Sequence, residues 1–260
     1  GTGDLGNDGA GVRISGSATN DIGGTTGTLT TSCAGACNVI SGNASHGVLI
    51  ETAGATGNDV LGNYIGLDVN GGTDLGNDGS GVYIDGAPSN TVGGTTASAR
   101  NIISGNNDAT GAGVTVSGAA ATGNTVRGNY IGTDDAGALD RGNTGDGVLI
   151  VTATGNTVCE DSVFGGSCDS ACNLVSGNGQ SGVRLEGGTN TVRANYVGTN
   201  AAGTAALGNS GAGVSIYGAD SNVVGGTSLT PFGRNLISGN VGAGVHLEAG
   251  PLGNFNVIQG

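Results

Sequence analysis

The sequence predicts an all-β fold, a right-handed parallel β-helix with three strands per turn and about eight turns of roughly 33 residues. Three observations predict it: two short motifs that keep step along the whole chain, a third motif that alternates between two forms, and a composition that leaves no room for a bulky core. The 260 residues include 58 glycines, no methionine and no tryptophan, with 3% aromatics. Such a chain cannot fill a conventional interior, yet 36% of its residues are apolar and fall in short Val/Ile clusters. Stacking those clusters turn upon turn is the way to bury them.

The first motif, Gly-Val-x-(Ile/Leu/Val), begins at Gly11, Gly47, Gly81, Gly113, Gly147, Gly182, Gly213 and Gly244. The second, Asn-x-(Val/Ile), begins at Asn20, Asn58, Asn90, Asn124, Asn156, Asn190, Asn222 and Asn256. The third begins at Asn38, Asn63, Asn101, Asn129, Asn173, Asn195 and Asn235, and reads alternately Asn-x-Ile-Ser-Gly-Asn and Asn-Tyr-Ile-Gly, so the repeat is a doublet. Each period thus holds three short strands punctuated by Gly, Asn and Ser, too close together for a helix of normal length. A propeller blade would need four antiparallel strands, and the Leu-x-x-Leu-x-Leu frame of a leucine-rich repeat is missing. Handedness follows from the general preference of parallel crossovers.

Side chains alternate across a strand, which places Val82, Ile84, Asn90, Val92, Asn101 and Ile103 inside and Tyr83, Thr91 and Ile102 outside. Each buried Val or Ile contributes about 1.5–3 kcal/mol. The inward asparagines must be hydrogen-bonded, and ladders of stacked amides satisfy them. They are therefore read as structural.

Seven basic residues, all arginine, face 20 acids, for a net charge of -13. This argues against nucleic acid as a partner, because phosphate binding needs clustered positive charge. No apolar run approaches the length of a membrane span, so membrane insertion is not expected. The chain opens in mid-motif and neither end shows a cap, so residues 1–260 are read as a single β-helix domain. It is either a segment of a longer array or a subunit that stacks end to end.

The Asn124–Asp134 segment, Asn-Thr-Val-Arg-Gly-Asn-Tyr-Ile-Gly-Thr-Asp, and the Asn101–Asn106 segment, Asn-Ile-Ile-Ser-Gly-Asn, resemble the right-handed β-helix repeats of large bacterial surface and secreted proteins of the pectate-lyase-like superfamily. The resemblance covers nearly the whole chain and implies the fold; activity within such a superfamily varies and must come from a site. Hydrolases of that fold pair aspartates beside a histidine, and here the nearest candidates are Asp134, Asp135 and His46. They lie almost three turns apart, roughly 14 Å at about 4.8 Å per turn. A glycosidase needs its carboxyl pair within about 5–9.5 Å. The Asp-Pro-His triplet of epimerase relatives is absent, and the arginines that a lyase would use scatter over different faces. No catalytic residue is assigned and no enzymatic activity is expected; a polysaccharide lyase or hydrolase is the enzymatic alternative.

Three other features call for explanation. The outward column of the third strand reads Val39, Tyr64, Ile102, Tyr130, Leu174, Tyr196 and Leu236, an apolar stripe with tyrosines 66 residues apart. Either neighbouring loops cover it, or it serves as a binding or assembly surface for a glycan or another chain. The Asp68, Asn70, Asp74 and Asp78 spacing is loosely that of a calcium loop, with turn chemistry as the plainer reading; no other cofactor is implied. Cys33 and Cys37 match Cys168 and Cys172 in equivalent loops, which suggests local disulfides and an oxidising compartment, with Cys159 left odd.

The expectation is thus an extracellular or cell-surface scaffold that associates with itself or with neighbouring repeats and can build filaments. A carbohydrate-binding adhesin using the tyrosine column is the alternative.

Overall fold

The computed structural model describes residues 5–26, 32–108, 111–159, 171–226, 233–248 and 255–259. Among the described residues it is all-β apart from a 3-10 turn at Ala97–Ala99, and its strands form three parallel sheets stacked as a β-solenoid. Sheet A holds eight strands, from Val12–Ser15 to Val245–Glu248; sheet B holds eight, from Asp21–Gly23 to Val257–Ile258; sheet C holds seven, from Val39–Ile40 to Leu236–Ile237. Successive strands of a sheet come from successive turns in unshifted register. Val48 pairs with Val82, Val82 with Val114, and Val114 with Val148.

That register stacks like on like. Val82, Ile84, Val92 and Ile103 are fully buried in one continuous inner core of aliphatic columns. Because strands of two to six residues expose little surface of their own, each turn depends on its neighbours for burial.

Polar ladders run beside the aliphatic columns. Asn101 shows how they work: its amide donates to Asn129 Oδ1 at 2.9 Å and to the Val60 carbonyl at 2.8 Å. Its own Oδ1 accepts from the backbone N–H and the amide of Asn63 at 3.0 and 3.1 Å. Both donors and both acceptor positions of the amide are used, so it is buried at no unsatisfied cost. The backbone donors also fix which amide atom is the oxygen, and every ladder runs in one direction along the solenoid.

The ladders before sheets B and C are those expected from the sequence. A third was not anticipated: Asn7, Asn43, Asn77, Asn106, Asn143, Asn178, Asn209 and Asn240 stack at the corner between sheets C and A. Its signal was present, since each of these asparagines follows a glycine, but the Gly-Asn pair ends one motif form and lies beyond the other.

Candidate functional site

The outward stripe on sheet C is the first place to seek a binding surface, and the structure closes it. Tyr64, Ile102 and Leu174 are fully buried, and Tyr130 and Tyr196 keep 5% and 3% exposure. With Leu67 and Cys172 they form a second hydrophobic core outside the coil, against which Cys33, Cys37, Ala201 and Leu236 pack. Only Val39, at 38%, is exposed. The expected binding or assembly stripe is therefore corrected to a sealed outer core, and the cover comes from the chain's own loops.

The cover explains the doublet. After each tyrosine strand the chain makes a hairpin closed by an antiparallel bridge: Leu67 with Asp74, Thr133 with Asp140, Thr199 with Ala206. At each tip a glycine, Gly71, Gly137 or Gly203, takes φ of +66°, +63° or +68°. A Cβ on Gly137 would stand 2.7 Å from Leu174 and 2.9 Å from the Tyr130 ring. Glycine is needed there both for the left-handed turn and for the close approach to the stripe. The hairpin that follows Tyr130 also reaches the Tyr64 turn: the Tyr64 hydroxyl donates to Asp135 Oδ2 at 3.1 Å. Burial raises the pKa of Tyr64, and Asp135 raises it further. The Arg100 guanidinium lies over the Tyr130 ring, 3.9 Å from its centroid.

The acidic residues of these hairpins perform turn chemistry. Asp68 Oδ1 accepts the backbone N–H groups of Gly72 and Thr73 at 2.9 and 3.1 Å. Asp134 does the same for Ala138 and Leu139 at 2.7 and 3.0 Å, and Asn200 for Thr204 and Ala205 at 2.9 and 3.2 Å. A neutral amide fills the role at Asn200, so the position requires an acceptor oxygen and not a charge. Burial opposes ionisation of Asp68, but the Gly72 and Thr73 bonds outweigh it and hold the carboxyl below its usual range.

Of the other calcium candidates, Asn70 turns its amide nitrogen toward Asp68 Oδ2 at 3.5 Å, while Asp74 and Asp78 are exposed. Among the described residues no group of three or more His, Cys, Asp or Glu is placed to hold a metal ion.

Titratable groups also gather where the chain enters sheet A. Ser80 N–H donates to His46 Nδ1 at 3.0 Å, Ala112 N–H to Ser80 Oγ at 3.2 Å, and Ser181 N–H to Asp146 Oδ1 at 2.8 Å. Histidine, serine and aspartate thus do one job, satisfying a backbone donor on the next turn. Ser80 Oγ also meets Thr115 Oγ1 at 2.9 Å and is fully buried, which removes it as an accessible nucleophile.

His46 stacks on Tyr83 with centroids 4.5 Å apart. Burial lowers its pKa, against the opposing pull of Asp108 and Asp85, and Nδ1, as the acceptor of the Ser80 N–H, leaves the ring proton to Nε2. Asp146, only 3% exposed, is pushed up to about 6 by desolvation, which the Ser181 bond and Arg184 only partly oppose. His46 is thus bound at the entry to sheet A, and Asp134 and Asp135 in the hairpins over sheet C.

Cys33 and Cys37 form the expected disulfide, and it packs against the outer core. Cys172 is disulfide-bonded as well, whereas Cys168 lies outside the described residues. Cys159 is a buried thiol whose Sγ lies 3.0 Å from the Ala171 carbonyl oxygen.

No protein-family model, curated protein or solved structure matches this chain.

Proposed function

We propose that this chain is a structural scaffold without catalytic activity, a stiff right-handed rod of about eight turns displayed outside the cell or on its surface. One observation carries the reading. The side chains that look most like chemistry are each engaged in holding one turn to another or a hairpin to its strand: His46, Ser80 and Asp146 at sheet A, and Asp68, Asp134 and Tyr64 over sheet C. Three directional asparagine ladders add stiffness along the axis.

The Cys33–Cys37 disulfide favours an oxidising compartment, and among the described residues no helix is long and apolar enough to cross a membrane. The repeat motifs favour a non-catalytic relative of the pectate-lyase-like proteins. The adhesin alternative loses the tyrosine column as its binding surface, because that column is buried.

The test is direct: incubate the chain with a panel of plant and bacterial polysaccharides, probe a glycan array, and image it by electron microscopy. The scaffold reading expects straight particles, no released oligosaccharide and no array signal. Released oligosaccharide would replace it with an enzyme, and saturable array binding with an adhesin.

A further inference from the structure

The Cys33–Cys37 disulfide lies where two parts of the cover over Tyr64 meet. One part is the hairpin after the tyrosine strand, whose tip comes so close that a Cβ on Gly71 would stand 3.0 Å from the Tyr64 ring. The other is residues 33–37, which lead through Asn38 into the strand Val39–Ile40, and Val39 is the in-register neighbour of Tyr64. The Cys33 N–H donates to the Val69 carbonyl of the hairpin at 2.9 Å. Cys37 stands just before the strand, and both cysteines pack against the core that holds Tyr64 and Leu67. The disulfide thus ties the anchor of the hairpin to the strand beside Tyr64. Such a crosslink acts by removing open conformations that the same segment would otherwise sample.

The next doublet seals its tyrosine without sulfur. Arg100 holds the place of Cys37, since each directly precedes the asparagine that begins the third motif, Asn101 or Asn38. Its guanidinium lies over the Tyr130 ring, and Tyr130 pairs in register with Ile102 as Tyr64 does with Val39. A reductant can break the first seal and has no bond to break in the second. The first is also within its reach: Cys33 and Cys37 are half-buried, and Ala34 and Gly35 between them are exposed.

We infer that the Cys33–Cys37 disulfide is a redox latch: its reduction loosens the hairpin at residues 67–75 and opens the stripe at Tyr64, while Tyr130 stays sealed. The reductant is a dithiol. One of its thiolates attacks a protein sulfur, its second thiol resolves the mixed disulfide, and it leaves as its own disulfide. Two electrons and two protons pass to Cys33 and Cys37, which become thiols, and no other bond changes. Reoxidation restores the seal. The latch goes beyond the scaffold reading and does not depend on it, because it concerns what the chain exposes on reduction.

The experiment compares three forms of the full chain: oxidised, treated with dithiothreitol and then iodoacetamide, and carrying Cys33→Ser with Cys37→Ser, which removes the crosslink without a reductant. Each is nitrated with tetranitromethane and read by peptide mass spectrometry, with circular dichroism reporting the coil. Tyr64 should react at least about tenfold faster in the second and third forms than in the first, since reaction follows the local opening equilibrium. Tyr130 should keep one slow rate in all three, and Arg100→Gln should quicken Tyr130 while leaving Tyr64 slow. Unchanged Tyr64 reactivity in both crosslink-free forms would overturn the latch. Tyr64 and Tyr130 quickening together would also overturn it, by showing general loosening in place of a local opening. If the double variant loses its β-sheet spectrum, the reduced and alkylated chain decides by the same criteria. Fast reaction of Tyr64 in the oxidised chain would leave nothing to latch and would equally overturn the inference.

Discussion

The inner core and the outer core of this solenoid are equally buried but built on different periods. Inside the coil every turn contributes the same aliphatic and asparagine positions, so Val48, Val82 and Val114 are interchangeable members of one column. Over sheet C the period is two turns: tyrosine alternates with Ile or Leu, and the hairpin after each tyrosine strand covers the stripe. The inner core follows from the backbone winding alone, whereas the outer core exists only because loops of the right length, with glycines at their tips, fold back onto it. A residue pointing away from the coil axis therefore need not face solvent.

The largest effect is expected at the inner ladder. Asn101→Ala would leave the buried backbone N–H of Asn63 without its acceptor, take one of three acceptors from the Asn63 amide, and deprive Asn129 Oδ1 of its side-chain donor while the backbone donor stays. A loss of about 3 kcal/mol or more is expected in equilibrium denaturation. The same change at exposed Asn7, which begins its ladder, should cost less than about 1 kcal/mol. Equal losses at the two sites would mean that the ladders do not act through burial.

Asp146 gives an effect of roughly 3 kcal/mol at most, with a defined pH window. Its folded pKa of about 6 lies above the ordinary aspartate value of 3.8, so the folded chain holds this proton more tightly than the unfolded chain. The resulting stability is fully present below about pH 4 and is lost as pH rises through about 6. Denaturation midpoints measured from pH 4 to pH 7.5 should show that decline, and Asp146→Asn, which keeps an acceptor for the Ser181 N–H, should flatten it. A variant with the wild-type slope would remove Asp146 as the cause.

In the outer core, Gly137→Ala places a methyl against Tyr130 and Leu174 in a left-handed turn, for an expected cost of about 2 kcal/mol. Hydrogen exchange should quicken in residues 133–141 while sheets A and B keep their protection, since the hairpin can lift without uncoiling the solenoid. Uniform loss of protection would show the two cores to be one cooperative unit. The smallest effect belongs to Asp68→Asn: with Asn200 already filling the equivalent position, it should change stability by less than about 0.5 kcal/mol. Chelator should leave wild type unmoved. A chelator-dependent melting temperature would restore the calcium reading.

Much of this architecture was legible in the sequence because a solenoid writes its contacts as periods. Val82, Asn90 and Ile103 could be placed inside from alternation alone, and they are. Ile102 and Tyr130 were rightly placed outside the coil, but alternation carries no information about what lies over a strand. That depended on the hairpins at 67–75 and 133–141, whose Asp and Gly positions read equally well as a metal loop or as a turn. The roles of His46, Ser80 and Asp146 were illegible for another reason. Residue type varies along that column, which also holds Ala112 and Ala212, and at His46, Ser80 and Asp146 the side chain accepts one backbone N–H from the next turn.

Whether the chain's own loops seal the tyrosine stripe can be read by nitration of tyrosine followed by peptide mass spectrometry. Tyr217, 46% exposed, and half-buried Tyr83 should react with tetranitromethane, while Tyr64, Tyr130 and Tyr196 stay unmodified until the chain is unfolded. Reaction of the three stripe tyrosines in the native chain at the rate of Tyr217 would show the stripe to be open and restore that face as a binding surface.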